Sequence, residues 1–255
     1  MENPFGGTSI AAGYAQFRPP VHKRIIERIR ERLNPRTNFY RALDIGCGAG
    51  LSTEALSGLA DCRIGLEPAE AMLQWSRAVA PNAHFIAATA EAIPIRAQSV
   101  DLITAAGSLN YTDLPQSLRE AARVLKPDGL VVVYDFQPGR SFRNSASLDE
   151  WFTRFTSRYP WPPNEAGEIS PEILGQTSDV FRIESYEHFE ICITLTPQFY
   201  VEYMLTETNV AFALRNGTRY EEIRQWCEET LEPVWQGKSH EVTFHGYYAC
   251  LLHAT

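Results

Sequence analysis

The chain has little that points to a metal, a disulfide framework or a membrane. Its five cysteines (Cys47, Cys62, Cys192, Cys227 and Cys250) are scattered, odd in number and never spaced as C-x-x-C. Structural zinc and paired disulfides are therefore not expected, and a reducing, cytoplasmic setting fits best. The six histidines (His22, His84, His188, His240, His245 and His253) form no H-E-x-x-H or other ligand spacing, so no metal is expected. Apolar runs such as residues 130–134 are far shorter than a membrane span. The first residues lack a basic start followed by an apolar stretch, so no signal peptide is expected. Repeats and low-complexity linkers are absent as well. Lys and Arg number 23 against 31 Asp and Glu, a net charge of −8, and no basic block extends beyond His22-Lys23-Arg24. A protein that grips a phosphate backbone usually shows a basic face, so this balance argues against nucleic acid as a partner.

What is present is ordinary for a globular chain. Of its 255 residues 44% are apolar and 21% charged, enough for one large α/β domain or two small ones. From residue 41 to 136 short apolar runs alternate with helical patterns, the mark of a parallel sheet flanked by helices. Strands are predicted at 42–45, 62–66, 84–87, 100–105 and 130–136, and helices at 51–59, 69–80 and 114–125. The last of these helices stops at Lys126-Pro127-Asp128-Gly129. Residues 138–179, rich in Pro, Trp and Phe, read as an irregular insertion with short helices. A long strand is expected at 181–193, amphipathic helices at 197–214 and 220–235, and a closing strand at 241–253. No crossover helix follows that last strand, so it should pair antiparallel.

The most informative stretch is Ala42-Leu43-Asp44-Ile45-Gly46-Cys47-Gly48-Ala49-Gly50. A strand that delivers a Gly-x-Gly turn into a helix brings backbone N–H groups close to a ligand, because glycine has no Cβ and tolerates positive φ. Glu67 closes the next strand, where a carboxylate can accept hydrogen bonds from a ribose diol. Together these say adenine nucleoside cofactor. A dinucleotide fingerprint has a third glycine where Leu51 stands here. Asp44, two residues before the first glycine, would oppose a pyrophosphate and favour a ligand bearing an ammonium.

With these residues in order, the chain resembles the class I S-adenosylmethionine-dependent methyltransferases, in their type-11 (small-molecule, ubiquinone-biosynthesis-like) branch. Tyr14 and Arg18-Pro19 resemble a Y-x-x-x-R-P element whose Tyr and Arg reach the cofactor's carboxylate tail. Glu67-Pro68 with Met72-Leu73 resembles the ribose clamp and the helix beneath the adenine. Thr89-Ala90-Glu91, with Ile93-Pro94 after it, resembles the element beside the adenine ring, with Thr where the family usually has Asp. Residues 100–103 followed by Ala105-Ala106 and Asn110-Tyr111 resemble the strand and loop that face the transferable methyl, with Asn-Tyr where His-Trp is frequent. Arg123-Val124-Leu125-Lys126-Pro127-Asp128-Gly129 resembles the family's R-V-L-K-P-G-G turn. The likeness runs over residues 11–136, about half the chain.

The resemblance implies a Rossmann-like, mostly parallel seven-stranded sheet with an antiparallel last strand, helices on both faces and a helical or irregular lid. Residues 1–255 would form one domain, with a core of 41–137, 180–194 and 240–255. Residues 1–40 would cover the cofactor, and insertions 138–179 and 195–239 would hold the acceptor. The cofactor would be S-adenosylmethionine and its product S-adenosylhomocysteine. Tyr14, Arg18, Asp44, Gly46, Cys47, Gly48, Gly50, Glu67, Pro68, Met72, Thr89, Ala90, Glu91, Ala105 and Ala106 would contact it, with Asn110 and Tyr111 facing the methyl. Trp151, Tyr159, Trp161, Tyr200 and Tyr203 either line the acceptor pocket or form a satellite core. Cys47 reads as a small packed residue, since nothing cationic lies near it in sequence. Two helices before a last strand are similar to small-acid carboxyl methyltransferases of the aconitate type, which tilts the acceptor toward a small carboxylate. Rival readings are an NAD-dependent oxidoreductase, a non-catalytic cofactor-binding partner protein, an RNA methyltransferase and an aminopropyltransferase.

Overall fold

The computed structural model describes residues 8–33 (side chains from 13), 38–163, 167 and 169–254. Parts of the expected cofactor-covering segment (1–7 and 34–37) and of the expected insertion (164–166 and 168) lie outside the described residues. The elements run α1 Thr8–Phe17, α2 Val21–Leu33, β1 Phe39–Ile45, α3 Leu51–Ala55, β2 Ala60–Leu66, α4 Glu70–Val79, β3 His84–Ile86, β4 Val100–Ala106, α5 Leu114–Val124 and β5 Leu125–Phe136. Then follow β6 Ser141–Phe142, α6 Ser147–Arg158, α7 Pro171–Thr177, β7 Phe181–Leu195, α8 Pro197–Met204, α9 Thr208–Arg215, α10 Tyr220–Trp235 and β8 His240–His253. None of the described helices is long and apolar enough to cross a membrane.

The chain divides into two compact units. The larger comprises residues 22–136, 165–189 and 246–255. Its strands lie in the order β3-β2-β1-β4-β5-β8, and β7 also pairs with β8. The first five pair parallel, in registers such as Asp44↔Thr104 and Ile103↔Val131. β8 runs antiparallel to β5, with Tyr134↔Tyr248 and Asp135↔Tyr247, the orientation expected for it from the sequence. The mixed sheet of the sequence reading is thus present. It counts eight strands among the described residues, not seven, because β6, two residues inside the expected irregular insertion, pairs with Thr243 and Val242 of β8.

Alternation along the strands decides what each face carries. Leu43 and Ile45 of β1, Ile103 and Ala105 of β4, and Val131 and Val133 of β5 share one apolar cluster with Leu118, Ala121 and Val124 of α5 and Leu174 of α7. Helix α5 earns this place by burying Leu114, Ser117, Leu118, Ala121 and Val124 at helical spacing, and Asp113 caps its start by accepting the Gln116 N–H at 3.0 Å. Asp44, Thr104 and Tyr134 alternate onto the opposite face, where His22 of α2 bonds the Tyr134 hydroxyl through Nδ1 at 2.9 Å.

The smaller unit comprises residues 1–21, 137–164 and 190–245. Its core is aromatic. Trp151 stacks on Phe155 with centroids 5.1 Å apart and meets Tyr200 edge-on at 6.0 Å, while Tyr200 also lies against Trp235 at 5.3 Å. The single helix expected over 197–214 is two, α8 and α9, separated at Leu205-Thr206-Glu207. The Thr206 hydroxyl donates back to the Tyr203 carbonyl at 2.7 Å, and the break turns Glu207 inward to Arg18.

Candidate functional site

The glycine turn follows β1 at the carboxyl end of the parallel strands, the edge where open α/β sheets bind ligands. Gly46 sits at φ +68°, and a Cβ there would stand 2.3 Å from the Ser108 Cβ. Ser108 in turn donates its hydroxyl to the Ile45 carbonyl at 2.6 Å. The turn after β1 is thereby locked to the loop after β4. Gly50, at φ +92°, lets α3 start close against Ser76 of α4. Gly48 differs from both, because a Cβ there would meet little besides the flexible Met72 Cε at 3.2 Å. At Gly48, then, the missing side chain leaves open a space that a ligand can use.

Glu67, 8% exposed, spans the turn. Its Oε2 accepts the Gly48 N–H at 3.1 Å and its Oε1 the Ala69 N–H at 2.8 Å. Burial pushes this carboxyl above its usual value, while those two amides pull it back. Each oxygen keeps a lone pair, so the clamp can accept further donors such as a diol. Met72 is buried beneath the turn, and Pro68 and Thr89 are exposed. Glu91 accepts the Asp113 N–H at 2.9 Å, tying its loop to α5. Ala90 is buried, Ala105 is buried in β4 and Ala106 ends that strand.

Asp44 corrects the expectation of a carboxylate offered to a ligand's ammonium. It is fully buried, and its oxygens take hydrogen bonds from Ser52 (2.6 Å), Thr53 (2.7 Å) and Thr104 (2.9 Å). It braces β1, α3 and β4 from within. Cys47 is buried with its thiol pushed up by burial, and so is packing, not a nucleophile.

Burial also raises the Asp44 carboxyl, against the three hydroxyls that lower it. A carboxyl with a raised folded pKa binds more protons folded than unfolded, so it costs stability as pH rises. Its contribution falls from about pH 4, the unfolded range, through the raised folded value, and is flat above it. Urea unfolding across that window should show wild type losing more stability with rising pH than Asp44→Asn. A difference that grows in the opposite direction contradicts this reading.

Asn110 and Tyr111 form a short 3-10 turn after β4, with Tyr111 47% exposed. Asn110 Nδ2 donates to Asp135 Oδ2 at 3.3 Å. Asp135 was not among the residues singled out by sequence, although it ends the apolar run of β5 at the ligand edge, which was the available signal. Arg123 was missed as a site residue too. Its guanidinium donates to the Ile93 and Ile95 carbonyls at 2.7 and 2.9 Å and pairs with Glu120, holding the loop after Glu91.

Tyr14 and Arg18 belong to the smaller unit. The guanidinium lies 4.3 Å from the Tyr14 ring centroid and 5.2 Å from that of Tyr203. It donates to Glu207 Oε1 at 2.8 Å and to the Thr206 carbonyl at 3.1 Å. Of the acceptor-pocket candidates, Trp151, Tyr159, Tyr200 and Tyr203 are at most 3% exposed and Trp161 is 40% exposed. Trp151 donates to Thr230 Oγ1 at 2.8 Å and Tyr200 to the Gly139 carbonyl at 2.7 Å. These four are satellite core, since rings this large stay in place by burying their faces on one another. Among the described residues no group of His, Cys, Asp and Glu could hold a metal.

Residues 43–133 match a family model described as a methyltransferase domain. A ubiquinone/menaquinone biosynthesis C-methyltransferase of Campylobacter jejuni is 35% identical over 146 residues, covering 51% of this chain and 62% of that protein. A candidate methyltransferase of Dictyostelium discoideum is 28% identical over 136 residues, covering 53% of this chain and 50% of its own. The match thus spans about half to three fifths of these relatives. The solved structure of a candidate type II methyltransferase from Anaeromyxobacter dehalogenans superposes with a TM-score of 0.68 at 20% identity, covering 91% of this chain and 95% of that one. That likeness is one of fold.

Proposed function

We propose that this chain, whose residues 43–133 match a model of a methyltransferase domain, binds S-adenosylmethionine over the glycine turn and transfers the methyl to a small-molecule acceptor. S-adenosylhomocysteine is the other product. The observation that carries this reading is the Glu67–Gly48 clamp beside a glycine whose missing side chain leaves a cradle. Glu67 would receive the ribose diol, Met72 would lie beneath the adenine, and Asn110 and Tyr111 would face the methyl. When bound, the cofactor supplies a sulfonium-activated methyl group. The residues of this chain orient the acceptor in line with it and exclude water. Asp44 acts through the turn it braces.

An NAD-dependent oxidoreductase is disfavoured by two features. Leu51 replaces the third fingerprint glycine, and α3 is five residues long with Glu54 in its first turn, a poor seat for a pyrophosphate. Calorimetry with S-adenosylmethionine, S-adenosylhomocysteine and NAD decides between them. Micromolar binding of both sulfur nucleosides, lost in Glu67→Ala, and none of NAD is the expected pattern. Binding of NAD alone ends the methyltransferase reading.

A further inference from the structure

At the ligand edge of β5 stands a carboxylate to which no role has been given. Val131 and Val133 place Asp135 on the α5 face of the sheet, at its carboxyl end. Its Oδ1 accepts the Phe136 N–H at 2.8 Å and its Oδ2 the Asn110 amide at 3.3 Å. Gly107, at φ +58°, makes room for it, because a Cβ there would stand 2.8 Å from Oδ1. One residue further along, Ser108 closes on Gly46 of the cofactor turn. Asp135 is therefore separated from that turn by the two residues Gly107 and Ser108, on the same loop as the methyl-facing Asn110 and Tyr111.

The polar accounting of this group is incomplete. Among the described residues no cation shares in its electrostatics, whose contributors are burial and the hydrogen bonds of Phe136 and Asn110. Two neutral donors fill two of about four lone-pair sites of an ionised carboxyl. A half-buried carboxylate without a cation is costly unless something charged or donating completes it. The supporting contacts are also firm. The Asn110 carbonyl accepts the Gly167 N–H at 3.0 Å, and Tyr247, cross-strand from Asp135, donates to the Ile169 carbonyl at 2.8 Å.

We propose that Asp135 is the acceptor-selecting residue, receiving the N–H or O–H of an amine or hydroxyl acceptor and repelling carboxylates. This rests on the methyltransferase reading above. In the transfer, a nitrogen or oxygen lone pair of the acceptor forms the new bond to the methyl carbon as the C–S bond electrons leave to sulfur. The acceptor's proton ends on Asp135. The tilt toward a small carboxylate acceptor, drawn from the layout of the C-terminal region, is reversed, because two carboxylates at one half-buried point repel.

The test uses the protein saturated with S-adenosylhomocysteine and matched triples of probes: benzylamine, benzyl alcohol and benzoate, then the phenethyl and butyl equivalents. Ligand-observed NMR reads binding. Wild type should bind amines and alcohols and refuse carboxylates. Asp135→Asn, in which Asn110 can flip its amide to keep the loop bonded, should lose amine affinity about tenfold or more and lose the discrimination against carboxylates. Carboxylates bound as well as amines, an unchanged preference in Asp135→Asn, or no binding across all triples overturns the proposal while the cofactor reading stands. Failure of S-adenosylhomocysteine itself to bind wild type removes both.

Discussion

Gly46→Ala should cost about 3 kcal/mol or more of folding stability and abolish binding of S-adenosylhomocysteine. Two penalties add. An alanine held at φ +68° sits in the left-handed region, worth about 1–2 kcal/mol. Its methyl would also stand 2.3 Å from the Ser108 Cβ, and Ser108 cannot retreat without losing its 2.6 Å bond to the Ile45 carbonyl. Gly48→Ala is the contrasting variant. Its Cβ, at φ +53°, meets only the movable end of Met72, so the folding cost should stay near 1–2 kcal/mol while binding is lost. Chemical denaturation and calorimetry on both variants separate the two roles. Equal stability losses would mean that the turn yields more easily than its contacts indicate.

The second large effect lies in the smaller unit. Arg18 and Glu207 pair at 2.8 Å with side chains 15% and 5% exposed, and burial lifts the Glu207 carboxyl against the pull of the guanidinium. Arg18→Met leaves the Glu207 carboxylate buried without its cation, and should cost about 3–5 kcal/mol. The double variant Arg18→Met/Glu207→Gln removes both charges and should recover most of that loss. The urea midpoints of the four proteins in this cycle give the coupling directly. The same cycle tests the role that the family resemblance implies for Arg18. If the guanidinium also receives a cofactor carboxylate, the double variant regains stability without regaining affinity. A double variant as unstable as Arg18→Met would show that the loss comes from the packing of the arginine stem.

Much of the candidate site was legible in one dimension because its signals are local. The glycine turn needs its residues consecutive, and the alternation of apolar strands with helical patterns announces a parallel sheet whose carboxyl edge must hold that turn. Glu67 was legible for the same reason, as the residue closing the next strand.

Other features depend on partners far away in sequence. The helix over 197–214 reads as continuous, because its apolar period runs through residues 205–207. Its break falls where Glu207 pairs with an arginine 189 positions earlier. Asp44 reads as a ligand carboxylate until three hydroxyls from α3 and β4 are seen to surround it. The aromatic residues at 151–203 have the composition of a pocket or of a core, and only their ring-to-ring packing separates the two.

By itself the sequence determined the order of strands and helices, the glycine turn and its acidic clamp, because hydrophobic period and backbone freedom are properties of neighbouring residues. The tertiary structure alone decided which carboxylates are enclosed by several donors, as Asp44 is, and which, like Asp135, hold two neutral donors among the described residues. Hydrogen bonds and desolvation depend on what surrounds a group in space, and that surrounding is assembled from distant parts of the chain.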